Sequence, residues 1–247
     1  MRRTRTWQLV AGLLAVSVVL YAVLFALFTD RLADIGFYTL LDIAFIPMSA
    51  LIVTLVINRV LEQREKEALL NKLNMVVGAF FSEVGTELID RLVAFDSDVD
   101  AVRPYLVFSG SWKGAEFEAA RRAVAGHEAG VSIDSGDLAG LKRFLVGQRS
   151  FLLRLLENQT LLEHATFTDM LWAVFHLTEE LEARQDLSRM PPADHRHVEL
   201  DMARAYGRLL GEWLRYAEHL KAQYPYLYSF AVRTNPFDPA ARIEVDA

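Results

Sequence analysis

Two long apolar runs dominate the first part of the hydrophobic pattern. The first, at about residues 8–28, contains twenty consecutive residues of which only two are not clearly apolar, and the second, 36–57, is interrupted by Asp42 and Pro47. A helix rises about 1.5 Å per residue, so twenty residues cover about 30 Å, the thickness of the hydrocarbon core of a bilayer. The pattern therefore predicts two transmembrane helices.

The connection between these runs, Thr29–Ile35, has room only for a tight turn, so residues 1–57 are predicted to form a transmembrane hairpin. Flanking Lys and Arg residues set the orientation of such a hairpin. They lie before the first run and after the second, with only Arg31 between the runs: Arg2, Arg3, Arg5, Arg59, Arg64 and Lys66. We therefore expect a multi-pass protein of the inner (cytoplasmic) membrane with both termini in the cytoplasm. A cleaved signal peptide fits less well, because the first run exceeds the usual apolar region of a signal and lacks a small-residue cleavage pattern.

Asp42 is the polar residue embedded in the second predicted span. Ionisable groups inside a membrane are costly and often functional. Asp42 nevertheless lies only about two turns from the outer interface, so it can reach water without a further role. Because two helices cannot form a pore alone, a channel or transporter lined by this span would have to be oligomeric.

The remainder of the chain reads as all-helical, because its long segments repeat apolar residues at helical spacing and lack alternating strands. A long helix is predicted to continue from the second span over residues 58–95. A helical bundle follows over 96–223, with the short helices of 97–130 as an insertion or flap. Apolar stripes mark helices at 138–156, from Thr166 to Leu181 and from His195 to Ala222.

The aromatic C-terminal tail, 224–247, is expected to pack on the bundle or on a neighbouring subunit. The predicted fold class is all-α, a two-helix transmembrane hairpin followed by a cytoplasmic helical bundle.

Composition narrows the functional classes. The chain has 26 Lys and Arg against 32 Asp and Glu, a net charge of −6, and no Cys. The missing Cys excludes disulfides, thiolate zinc sites and a thiol nucleophile. The negative charge argues against a nucleic-acid partner, which requires a cationic surface. No Gly-x-Ser-x-Gly, Walker A or Gly-x-Gly-x-x-Gly motif is present. The sequence thus favours a non-enzymatic role and implies no particular cofactor.

Three small residues mark a helix-packing face within the segment 74–87. Gly78 and Gly85 are seven residues apart, and Ser82 lies between them on the same side of a regular helix. Glycine within a helix costs about 1 kcal/mol relative to Ala, and it commonly marks the close approach of another backbone. We therefore expect a tight helix contact here, within the subunit or between subunits.

A carboxylate and histidine metal site is the alternative chemistry. Ferritin-like bundles use Glu-x-x-His on two helices, and this chain offers only the reverse order, His176 with Glu179. Glu83 and Glu87 stand four residues apart on the long helix, beside the small residues. If the two helices are neighbours, these four residues form the candidate metal site. The competing interpretation of Glu83 and Glu87 is a solvated acidic face.

The segment 74–87, Asn-Met-Val-Val-Gly-Ala-Phe-Phe-Ser-Glu-Val-Gly-Thr-Glu, and the tail of 224–237, which ends Arg-Thr-Asn-Pro-Phe, resemble stretches of an uncharacterised group of prokaryotic two-span membrane proteins. The resemblance covers about thirty residues. It implies membrane anchoring and carries no activity with it.

The leading hypothesis is therefore a membrane-anchored cytoplasmic helical domain that acts through protein–protein contact, as scaffold, adaptor or signal relay. Its expected partners are the lipid bilayer and either another protein or further copies of itself. The alternatives are a metal-binding protein or enzyme with its site in the bundle core, and a subunit of an oligomeric channel or transporter.

Overall fold

The computed structural model describes residues 2–27, 32–158, 161 and 164–244, with side chains for 15–27, 33–65, 72–158, 161 and 164–244. Within this part the chain is all-helical, and no β-strand occurs. The chain divides into two compact units, Met1–Lys66 and Glu67–Ala247.

The first unit contains α1 (Arg2–Leu27) and the beginning of α2 (Leu32–Phe80). By length and composition, one described stretch is able to cross a membrane, Ala33–Glu65, whose most apolar window has a mean hydropathy of 2.4. The apolar part of α1 with described side chains is shorter, Ala15–Leu27. The structure thus supports one spanning candidate where the sequence pattern predicted two. The earlier part of the first predicted span lies outside the described side chains, and so does most of the predicted turn.

The long helix predicted up to residue 95 is interrupted. After α2 the chain makes a π-helical turn, Phe81–Gly85, and then forms α3 (Thr86–Val93). The remaining helices of the second unit follow in order: α4 (Val99–Val102), α5 (Gly114–Ala125), α6 (Leu138–Leu156), α7 (Ala165–Ala183), α8 (Pro192–Gln223) and α9 (Pro225–Arg233).

Helix α8 is the central element of the second unit. It packs against α3, α5, α7 and α9, while α7 also packs against α6. Its predicted apolar stripe is buried, as shown by Val198, Met202, Tyr206, Leu209, Trp213, Ala217 and Leu220. Because a stripe at three- and four-residue spacing occupies one face of a helix, the opposite face remains available for polar side chains.

The segment predicted as an insertion or flap is instead part of the core. Phe108 packs its ring 4.8 Å from that of Trp213 on α8 and 5.5 Å from that of Tyr228 on α9. Phe117 of α5 is 1% exposed. The aromatic side chains of this segment thus fill the space between α8 and α9, and burial of their rings fixes the segment to the bundle.

The C-terminal tail packs on the bundle through α9 and the residues after it. The Tyr228 hydroxyl donates to the carbonyl of Ser109, and the side-chain amide of Asn235 donates to the carbonyl of Leu106. Phe237 is fully buried. These contacts tie the tail to the same segment that supplies Phe108.

Two adjoining elements, α7 and α8, position the polar side chains described next. His164 caps α7, its Nδ1 accepting from the backbone N–H of Phe167 at 3.3 Å. Pro192 occupies the first turn of α8, where its missing N–H has no helical partner to lose. The connection of residues 184–191 between the two helices contains a short 3₁₀ turn, Leu187–Arg189.

Candidate metal centre

Two histidine and carboxylate pairs face each other across α7 and α8. On α7 the pair is His176 and Glu180, and on α8 it is His197 and Asp201. Residues four apart lie one above the other on the same face of a helix. The same spacing on two packed helices therefore brings four polar side chains to one place.

Three donor atoms of this group lie within 4.8 Å of one another. The Nε2 atom of His176 is 3.3 Å from Oδ2 of Asp201, and Nε2 of His197 is 3.4 Å from the same oxygen. Among the residues that the structure describes, this is the one such group of His, Asp or Glu donors. These distances resemble those between the ligands of a metal ion. Ligand atoms at about 2.0–2.1 Å from a tetrahedral ion lie about 3.3 Å from one another.

Asp201 is the buried member of the group. Its side chain is 2% exposed, and Oδ1 accepts a hydrogen bond from Nη1 of Arg204 at 2.5 Å. Its other oxygen, Oδ2, is buried and has no hydrogen-bond partner in the described structure, although both imidazole nitrogens approach it. A charged oxygen that is buried without a partner is costly. A cation between this oxygen and the two imidazoles would remove that cost.

Glu180 lies beside the three donors. Its Oε1 is 3.9 Å from Nε2 of His176, and its Oε2 is 3.5 Å from Nε2 of His197. Arg184 donates from Nη1 to Oε2 at 2.7 Å. This hydrogen bond lowers the pKa of the Glu180 carboxyl, and partial desolvation opposes that decrease without cancelling it. Glu180 therefore stays ionised next to the histidines.

Arg184 is itself fixed by a second carboxylate. Its Nε and Nη2 donate to the two oxygens of Asp194 at 3.0 and 2.7 Å. These hydrogen bonds raise the pKa of Arg184 and lower that of Asp194. The bidentate pair joins the end of α7 to the first turn of α8, and so it holds together the two helices that carry the donors.

The two imidazoles are accessible from solvent. The His176 side chain is 46% exposed and that of His197 is 50% exposed. A metal ion can therefore reach the group without opening the bundle. Two imidazole nitrogens and a carboxylate oxygen suit Zn²⁺ or another divalent first-row metal better than Ca²⁺ or Mg²⁺, which prefer all-oxygen ligand sets.

The four residues of the sequence-predicted metal site occupy different surroundings. His176 belongs to the group above. Glu179, its predicted companion, points to Arg149, whose Nη2 is 3.5 Å from Oε1. Glu87 pairs with Arg91 on α3 at 2.6 Å, and Glu83 is exposed in the π-helical turn. Neither of these two carboxylates belongs to the His176 group.

The predicted packing residues lie around the π-helical turn. The position of a Cβ on Gly78 would be 3.5 Å from the hydroxyl of Tyr216, an ordinary contact, whereas on Gly85 it would be 2.6 Å from a ring atom of Phe81. Ser82 is exposed and lines a cavity of about 740 Å³ between α3, α8 and α9. The extra residue in each π-type turn changes the helical phase, which separates the environments of the three small residues.

Asp42, the polar residue of the second apolar run, is exposed in the first unit. It lines a cavity of about 510 Å³ together with the side chains of Tyr21, Leu24, Asp34, Ile35, Tyr38 and Thr39. The cavity therefore contains a second carboxylate, from Asp34.

Sequence reasoning missed three members of the group: Glu180, His197 and Asp201. The signal that identifies them is the four-residue spacing of a histidine and a carboxylate, which occurs at 176 and 180 and again at 197 and 201. His195 and His197 are two residues apart, a spacing that does not place them on one helical face. In the structure His197 instead faces Asp201, one turn further along α8.

Comparison with known proteins places these features in a family. The family described as the C-terminal helical domain of uncharacterized protein MJ1433 matches residues 69–233, which include all four members of the group, and the N-terminal helical domain of MJ1433 matches residues 2–61. The uncharacterized protein MJ1433 of Methanocaldococcus jannaschii is 43% identical over 226 residues, which cover 92% of this chain and 90% of that protein. No solved structure matches the chain. The chain belongs to the MJ1433 family of helical domains.

Proposed function

We propose that the protein is a membrane-anchored binder of a divalent transition-metal ion, with His176, His197 and Asp201 as the ligands. The observation that carries this proposal is the buried Oδ2 of Asp201, which lacks a hydrogen bond and faces two imidazole nitrogens at 3.3 and 3.4 Å. Zn²⁺ is the leading candidate because this donor set and spacing suit a tetrahedral ion.

The competing explanation is a purely structural ion-pair network, in which protonated histidines neutralise Asp201. Such a network gains its stability from directed hydrogen bonds. Neither imidazole makes one to Oδ2, and among the described residues only Arg204 donates a hydrogen bond to the Asp201 carboxylate. The contacts therefore favour a common point of coordination over pairwise hydrogen bonds.

The test is a zinc titration of the full-length protein in detergent, stripped of metal and measured against a competing chelator. We expect one ion per chain. Asp201→Asn keeps the oxygen that accepts from Arg204 but replaces the ligand oxygen or its charge, and we expect it to weaken binding at least 100-fold.

His195 and His197 provide a matched pair of controls on the same turn of α8. His197→Ala removes a ligand, whereas His195→Ala removes a histidine outside the donor group. Equal loss of zinc in both variants, or unchanged binding in His197→Ala and Asp201→Asn, would contradict the proposal.

Membrane anchoring is the second part of the proposal. The apolar stretch Ala33–Glu65 has the length and hydropathy for a span, and the charges around the two apolar runs favour cytoplasmic termini. On this arrangement the protein is held in the inner membrane by residues 1–57, and the metal site faces the cytoplasm.

Protein–protein contact is the second candidate function, as scaffold, adaptor or signal relay. The observation that favours it is the exposed apolar surface of α9, where Tyr226 is 70% exposed and Phe230 is 51% exposed. A contiguous exposed apolar surface is typical of interaction sites. Of the two partners that the sequence left open, another protein or a further copy, we propose a second copy of this chain.

Native mass spectrometry of the full-length protein tests both functions at once. An oligomer that Tyr226→Ser and Phe230→Ser convert to monomer supports the contact surface. A monomeric wild-type protein would exclude self-association through α9. The bound mass in the same spectrum reports the metal.

A further inference from the structure

We infer that the metal ion of this site keeps a coordination position open to solvent, occupied by water and exchangeable for a small anion. This inference rests on the proposed metal-binding function and goes beyond it. A metal ion that only stabilises a fold is bound by four protein ligands and has no open coordination position. Catalytic and ligand-binding zinc sites typically have three protein ligands and an open position.

The placement of the donors carries the inference. Asp201 approaches from the buried side, with its side chain 2% exposed, while the two histidines, each about half exposed, flank the site. Because all three donors lie on the protein side of the ion, its opposite side faces water. Among described residues, no other His, Asp or Glu joins the mutually close group.

Glu180 is the candidate for a fourth ligand, and its contacts argue for a different role. Its Oε2 accepts from Nη1 of Arg184, and Arg184 is fixed in turn by both oxygens of Asp194. A carboxylate held in this way stands beside the ligands rather than among them. It is positioned to accept a hydrogen bond from a metal-bound water, as carboxylates do in the outer shell of metal sites.

Local charge favours an anion at the open position. A divalent ion with two neutral imidazoles and the Asp201 carboxylate leaves a formal charge of roughly +1. The carboxylates of Glu180 and Asp194 share the single guanidinium of Arg184, which leaves one negative charge. Arg204, which bonds Asp201, offsets that charge, so the site as a whole stays positive. A small anion is therefore a stronger ligand for this position than a neutral molecule.

Cobalt spectroscopy with azide tests the inference on the full-length protein. Co²⁺ replaces Zn²⁺ at N and O sites and reports its coordination by visible absorption. We expect one Co²⁺ per chain and a saturable change of its spectrum on addition of azide. Asp201→Asn should lack both the Co²⁺ spectrum and the azide response, which shows that the response comes from this site.

Glu180→Gln separates an open site from a closed one. If Glu180 lies in the outer shell, the variant keeps one Co²⁺ and the azide response, with affinity lowered at most about 10–100-fold. Loss of the stoichiometric Co²⁺ in this variant, or a wild-type spectrum that azide does not change, would overturn the inference while metal binding stands. A wild-type protein that binds no Co²⁺ and no Zn²⁺ would overturn the proposed function itself.

Discussion

Among single residues, Gly85 lies where an added methyl group would meet two aromatic rings. A Cβ there would be 2.6 Å from Cδ1 of Phe81 and 2.8 Å from Cε1 of Phe80, and both rings are at most 1% exposed. Because neither ring can move into solvent, we expect Gly85→Ala to lower the free energy of unfolding by about 1–3 kcal/mol, the usual cost of overpacking. Chemical denaturation of the detergent-solubilised variant and wild-type protein measures this difference in the free energy of unfolding.

Gly78 is the matched control for Gly85. A Cβ on Gly78 would contact the Tyr216 hydroxyl at 3.5 Å without overlap. Ala is favoured over Gly in a helix by about 1 kcal/mol, so we expect Gly78→Ala to be neutral or stabilising. If the two variants lose the same stability, steric contact at Gly85 is not the cause.

His219 makes the free energy of unfolding of the protein depend on pH. Its Nδ1 is 3.2 Å from the side-chain amide of Asn74, and desolvation lowers the pKa of the ring below its usual value of about 6.5. Between the folded and the unfolded pKa the unfolded chain binds more protons, so stability rises with pH there. The contribution of His219 is therefore present above about pH 6.5 and is lost as the pH falls toward the folded pKa.

The variant His219→Asn isolates this contribution, because the Asn oxygen can replace Nδ1 as the acceptor for Asn74. We expect the wild-type protein to lose more stability than the variant between pH 7 and pH 5, as measured by denaturation at each pH. Parallel pH profiles for the two proteins would rule out the role of His219.

At the residue scale, the sequence indicated one member of the candidate site, His176, and did not indicate which residues lie beside it. His176 was identifiable from its neighbouring carboxylates, whereas two of its three companions, His197 and Asp201, come from α8, a helix about twenty residues further along the chain. One sequence does not specify which helices are neighbours, so Glu83 and Glu87 were equally plausible partners. The repeated four-residue spacing was present, but it is also common on solvated helix faces.

Between elements, Asp96 joins the end of α3 to the loop before α6. Its Oδ1 accepts from the backbone N–H groups of Asp98 and Gly130 at 3.0 and 3.1 Å, and Oδ2 is 2.9 Å from Nε2 of His127. The side chain is fully buried. Removing one member of a buried pair typically costs about 3–5 kcal/mol, and we expect this loss for Asp96→Ala.

Hydrogen exchange checks this prediction locally. The amides of Ser97 and Ser132 donate to the carbonyls of Gly130 and Phe95 across the same junction, so their protection should fall in Asp96→Ala. Asp100→Ala serves as the control, because Asp100 forms an exposed pair with Arg103 and should change stability by less than about 1 kcal/mol. Equal effects of both variants would contradict the role of Asp96.

The helices themselves were largely predictable, since their apolar stripes are long and regular. The helix predicted from His195 to Ala222 is observed as Pro192–Gln223, because Pro192 is accommodated in the first turn of the helix. The π-helical turn at Phe81–Gly85 left no signal in the periodicity. The segment around Phe108 was mistaken for a flap because its helices are short, and only its tertiary contacts show that it belongs to the core.

For the whole molecule, if the proposed membrane anchoring holds, the number of spans decides on which side of the membrane each terminus lies. Two spans place both termini on the same side, whereas a single span, Ala33–Glu65, places them on opposite sides. The distribution of Lys and Arg favours two spans with both termini in the cytoplasm. This arrangement also places the candidate metal site in the cytoplasm, since the site follows the second span in the chain.

Protease protection of tagged protein in inside-out membrane vesicles distinguishes these arrangements. We expect epitopes at both termini to be digested, because the cytoplasmic face is exposed in such vesicles, and an epitope inserted between Thr29 and Asp30 to be protected. Digestion of the C-terminal epitope with protection of the N-terminal one would establish a single span. Because the site follows Glu65 under either topology, digestion of the C-terminal epitope alone is enough to place the metal-binding residues on the cytoplasmic side, and its protection would place them outside.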